Sequence, residues 1–95
     1  MLEAHAKIHL RDPVDFTLPL LEDMCALWGM RLLRSGSKSR DAEIAIPTDV
    51  FKRLFKVPAT KGSHQVPPVA DIFIESIEVK KVAPMDGESR KGEKK

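Results

Sequence analysis

The chain has 95 residues, 42% of them hydrophobic and 32% charged, with a formal net charge of +2. That length suits one domain and is short for two, and the near balance of charge argues against the clustered basic surface that nucleic acid requires. One cysteine, Cys25, allows no intrachain disulfide and offers no zinc spacing, and no apolar run approaches the roughly 20 residues of a membrane-spanning helix.

The opening Met1-Leu2-Glu3-Ala4-His5 has neither the charged start nor the apolar stretch of a secretory signal. With a lone cysteine this makes a cytoplasmic protein the expectation, without membrane contact. Ala4, Ala6, Ile8 and Leu10 alternate with His5, Lys7, His9 and Arg11, the period of a half-buried strand. Asp12-Pro13 ends it, since proline lacks the ladder donor. Thr17 is the expected cap of a helix running from Leu18 to Gly29, with Pro19 in its first turn. Its apolar stripe is predicted to hold Leu20, Leu21, Met24, Leu27 and Trp28, and Gly29 suits a left-handed end.

Met30 to Arg34 reads as a short strand, Ser35 to Asp41 as a polar, mobile connection, and Ala42 to Ile46 as a strand forming a hairpin with the first of these. A second helix opens at Pro47-Thr48-Asp49, with Thr48 as cap; it buries Val50, Phe51, Leu54 and Phe55 and stops at Val57-Pro58. Ala59 to Pro68 is loop-like in composition. Ile72 to Val82 is the last apolar segment, alternating at Ile77 and Val79; its beginning around Val69 to Ile74 is equally readable as a helical turn. Beyond Pro84 the residues are largely charged. A single domain over residues 1–83 and a disordered charged tail over 84–95 are therefore expected.

Strand, helix, strand, strand, helix, strand is the βαββαβ order of an α+β, ferredoxin-like fold. It implies a four-stranded antiparallel sheet with two helices on one face and the other face open. If Ala6, Ile8, Ile44, Ile46, Ile77 and Val79 turn toward the helices, alternation places Lys7, His9, Glu43, Glu78 and Lys80 on the open face, beside His5. Those five are the candidate partner-binding residues.

Residues that could carry chemistry form no set. His5 and His9 share a strand face but sit roughly 13 Å apart at strand rise, and His64 stands in the loop, so all three read as solvent-facing imidazoles. Cys25 lies beside the helix stripe with no base in view and reads as a small buried hydrophobe. Asp12, Asp15, Glu22 and Asp23 cluster at the first helix, where a dipole role suffices. The Ser35-Gly36-Ser37-Lys38-Ser39 run lacks the glycine and Lys-Ser/Thr step of a phosphate loop. The strand Glu43-Ile44-Ala45-Ile46 has no aromatic ring for stacking bases. Arg11-Asp12-Pro13 lacks the glycine that would let a small ligand approach the backbone. No catalytic residue, cofactor or metal is expected.

Three stretches carry a resemblance: Met24-Cys25-Ala26-Leu27-Trp28-Gly29-Met30; Phe51-Lys52-Arg53-Leu54-Phe55-Lys56-Val57; and Val66-Pro67-Pro68 with Ile74-Glu75-Ser76-Ile77-Glu78-Val79. Together, over roughly residues 20–80, they resemble the activation (pro) domains of subtilisin-type and sedolisin-type serine peptidases, the sedolisin type more closely. The resemblance implies a protein-binding module without enzyme activity: an inhibitor or folding helper of a serine peptidase, or a module repurposed for another protein partner. It also implies docking through the open sheet face, with the C-terminal segment directed at the active-site cleft. The chain carries no Ser, Asp or His motif of the peptidase itself. The other reading is an adaptor or oligomerising subunit, a homo-oligomer included, that pairs through the open face or an edge strand.

Overall fold

Strand alternation near the N-terminus sets the two sides of the molecule. In the computed structural model, which describes residues 2–36 and 39–84, β1 spans Leu2–Leu10 and buries Ala4, Ala6, Ile8 and Leu10. It is followed by α1 (Val14–Trp28), β2 (Arg31–Ser35), β3 (Asp41–Pro47), α2 (Thr48–Phe55), β4 (Gly62–His64) and β5 (Ile74–Pro84). The strands form one antiparallel sheet in the order β2-β3-β1-β5-β4. No described helix is long and apolar enough to cross a membrane.

The sheet thus has five strands where the sequence predicts four. The extra one, β4, lies in a stretch read as loop, and its Gly-Ser-His composition has no apolar alternation to announce it. It forms because the edge of β5 offers unpaired backbone groups to Gly62, Ser63 and His64, opposite Val79, Glu78 and Ile77. His64 corrects a second expectation. Its ring is half-buried, edge-on to Phe51 at 5.0 Å between centroids, and Nε2 donates to the Thr60 carbonyl at 2.7 Å.

One core joins both helices to the inward face of the sheet: Val14, Leu21, Met24 and Cys25 from α1, Val50 and Phe51 from α2, with Ile8, Leu10, Ile44, Ile46, Ile77 and Val79 from the strands. Phe51 is fully buried, and Phe55 stacks on it with centroids 4.0 Å apart. Leu54 and Phe55 pack against this core from its margin. Residues 68–73 form turns, Ile74 N–H returning to Ala70 O at 2.9 Å. Arg11 holds this segment to the end of β1 through the Asp71 carbonyl (2.8 Å) and carboxylate (3.0 Å).

The helix starts differ from the expected caps. Pro13 and Pro47 occupy the two N-cap positions with extended ψ values of 148° and 140°, and neither cap makes a side-chain hydrogen bond. Thr17, expected at the cap, is inside α1 and buried; its hydroxyl donates back to the Pro13 carbonyl at 3.2 Å, the i−4 bond that competes with capping. Thr48 is the first residue of α2 rather than its cap. With α1 starting at Val14, its buried line runs through Val14, Thr17, Leu21, Met24 and Cys25, leaving Leu20 and Leu27 exposed against expectation. Gly29 ends the helix at φ 73°, as expected of it.

The hairpin between β2 and β3 is present. Its connection is tied down at Ser39 and Arg40, whose carbonyls accept from Val14 N–H and Leu10 N–H at 2.6 Å each. Pro84 stays in register with Leu2 at the end of β5, and the remainder of the expected tail, 85–95, lies outside the described residues.

Replacing Phe51 with Ala should cost about 3–5 kcal/mol and lower the unfolding midpoint by more than ~10 °C. Leu27→Ala should stay within about 0.5 kcal/mol, because Leu27 is 77% exposed. Thermal melts of the two variants decide the facing of α1: equal losses would mean that Leu27 belongs to the core.

Candidate sheet-face site

All five candidate residues lie on the sheet face that the helices leave open. β1 places Lys7 directly between Glu43 of β3 and Glu78 of β5, the partner on each side of one pleat. Two residues further on, His9 stands between Asp41 and Ser76. Lys80 is left over at the irregularity where the β1–β5 register shifts between His5 and Ala6, and it turns back to Glu78 at 3.4 Å. Arg34 of β2 reaches Glu43 at 3.9 Å. The face is therefore a grid of alternating charges, each opposite or diagonal to its counter-charge.

Two of the shallow depressions on this face take in the five, and Lys7 and Glu43 also share a third. One, of about 330 Å³, is lined by Lys7, His9, Asp41, Ser63, Ser76 and Glu78; the other, of about 260 Å³, by His5, Glu43, Lys80 and Lys81. His9 is the best-fixed side chain among the candidates. Its Nδ1 donates to Asp41 Oδ1 at 2.8 Å, and its Nε2 lies 3.6 Å from Glu75 Oε1. The His9 hydrogen bond holds the Asp41 carboxyl below its usual range, with Lys7 assisting. Carboxylates thus occupy the approaches to both imidazole nitrogens. Ser76, though opposite His9 in register, makes no hydrogen bond to it.

Toward the other end of the same face lies a group that sequence reasoning missed. Glu3 is 1% exposed; it accepts from Arg31 Nη2 at 2.7 Å and from His5 Nε2 at 2.9 Å. Arg31 and His5 both stand opposite Ala45, so the small side chain of Ala45 lets the arginine of β2 meet the glutamate of β1 across β3. His5 is consequently half-buried rather than solvent-facing. Asp41, loop-like in composition, is the first residue of β3 and part of this face. The signal for it was register: with Lys7 opposite Glu43, antiparallel counting puts His9 opposite Asp41.

Cys25 is buried, and burial pushes its thiol pKa up, with Glu22 adding to the effect. It sits on the helix side, away from this face. Among the described residues no group of three or more His, Cys, Asp or Glu side chains is placed to hold a metal ion. Comparison with family models, curated proteins and solved structures finds no match to this chain.

The His9–Asp41 contact predicts a pH dependence with a definite sign. Because the folded carboxyl titrates below the unfolded one, its contribution to stability is full above the ordinary carboxylate pKa of about 3.9 and fades as pH falls through the lower folded value. In His9→Ala, the Asp41 carboxyl resonance should titrate with its midpoint moved up toward that ordinary value. An unmoved midpoint would mean that His9 does not hold the carboxylate.

Proposed function

We propose that this chain is a non-enzymatic protein-binding module that docks through the open face of its sheet, in the manner of the serine-peptidase activation domains it resembles. The order of the four longer strands, β2-β3-β1-β5, with both helices packed into the core on one side, supports a ferredoxin-like reading to which β4 is an addition at the edge. The observation that carries the functional reading is the gathering of Lys7, His9, Glu43, Glu78 and Lys80 on that face, uncovered by either helix.

A charged grid of mixed sign gives a partner orientation and selectivity more than raw affinity. Its carboxylates, Glu43 and Glu78, can meet the exposed N–H groups at the start of a partner's helices. Edge pairing is the weaker form of the adaptor reading. At one edge β2 carries a register irregularity between Leu32 and Arg34 and an arginine on either side of its leucines, and at the other β4 is three residues long. Short, irregular, charged edges discourage strand addition. The proposal takes the compartment to be the cytoplasm, where a lone free thiol such as Cys25 persists.

The test pairs binding with stability. A subtilisin-type and a sedolisin-type peptidase are titrated with the protein while hydrolysis of a chromogenic peptide is followed. Inhibition is expected, weakened at least about tenfold by Lys7→Glu or Glu78→Lys, while each variant still melts cooperatively and loses only the about 1–2 kcal/mol that its new like-charge neighbours across the strands cost. Absence of inhibition removes the peptidase as partner. Inhibition that survives both reversals removes the sheet face as its site.

A further inference from the structure

The outer side of α1 bears a feature that neither the core nor the sheet face uses. Phe16, Leu20 and Leu27 are 79%, 50% and 77% exposed. At about 100° per residue these three fall within about 40° of one another on the helix. A single exposed leucine is ordinary, but three large apolar side chains in one line make a patch.

The polar side of this stripe has one sign. Asp15 and Glu22 follow one flank about 100–120° from Phe16, Asp23 stands about 20° from Phe16 between Leu20 and Leu27, and no Lys or Arg occurs between Asp12 and Met30 in a chain of net charge +2. A helix-dipole role accounts for Asp15 in the first turn. It does not account for Glu22 and Asp23, which lie past the middle of a helix that begins at Val14, nearer its negative end. None of the three forms an ion pair or side-chain hydrogen bond among the described residues.

We propose that this face of α1 is a second docking surface, and that its occupant is a basic amphipathic helix of another protein. The partner's apolar line seats on Phe16, Leu20 and Leu27, and its Lys or Arg residues lie over Asp15, Glu22 and Asp23. Charge selects this occupant over two others. A second copy of α1 would set acid against acid, and an anionic membrane surface favours helices with basic flanks. The surface is independent of the sheet-face reading.

The probe is a fluorescent 18-residue helix of leucine and lysine, leucine at i, i+3, i+4 and i+7, with a leucine–glutamate helix of the same pattern as control. Anisotropy should show binding of the lysine peptide, weaker in higher salt, and none of the glutamate peptide. The variants Leu20→Lys/Leu27→Lys and Glu22→Lys/Asp23→Lys should each weaken binding at least tenfold, and Glu78→Lys on the sheet should leave it within twofold. The acidic-pair variant touches no buried residue, so it decides the matter even if the leucine variant unfolds in a parallel melt. Equal binding of both peptides, binding indifferent to the acidic pair, self-association in sedimentation that Leu27→Lys abolishes, or partition onto phosphatidylserine vesicles would each overturn the proposal.

Discussion

Pairing of β1 on both of its long edges is the constraint from which both sides of the molecule follow. β3 and β5 register against it nearly end to end, from Glu3 opposite Pro47 to His9 opposite Asp41 on one side and from Leu2 opposite Pro84 to Leu10 opposite Ile74 on the other. With the strand held twice, its period of two has only one outcome. Ala4, Ala6, Ile8 and Leu10 enter the core beneath the helices, and Glu3, His5, Lys7 and His9 form the spine of the open face. A slip of one residue would bury Lys7 and expose Ile8, so the apolar pattern and the charged grid specify the same register. α2 packs over this strand and β3, and its Phe51 is fully buried.

The open face is uneven in its energetics. The contacts of His9 with Asp41 and of Lys80 with Glu78 lie in water, where such pairs direct a partner more than they stabilise the fold. Glu3 is different. Its carboxylate is almost wholly covered, and it stays there only because Arg31 and His5 supply donors. A buried carboxylate stripped of its donors is costly, so Glu3 ties β1 to β2 across β3 at one end of the face. The candidate binding residues therefore stand on a sheet whose far end is fixed by an ion pair and whose underside is fixed by the core.

The strands that carry apolar alternation were legible, as were Gly29 at the end of α1 and Phe51 inside α2, because each is a local pattern with a local cause. What failed was decided elsewhere in the chain. The apolar residues of α1 outnumber what one buried face can hold, and from sequence alone Leu20 and Leu27 count as core as readily as Val14 and Leu21; the sheet decides which line is covered. Thr17 has the residue type of a cap, but Pro13 begins the helix four residues earlier. β4 exists through the edge of β5, and its three residues hold no pattern of their own. The five face residues were readable from alternation; Asp41, Glu3 and Arg31 needed the cross-strand register to join them.

Amide hydrogen exchange measured residue by residue tests the governing role of β1 most directly. Ala4, Ala6, Lys7 and Ile8 should exchange only through global unfolding, slower than any amide of β2 or β4, since both edges of β1 are paired and theirs are each open on one side. If β1 amides exchanged as fast as those of β2, while α1 or β5 remained protected, the sheet would have to be held from some other strand. The common origin of core and open face in this one segment would then be wrong.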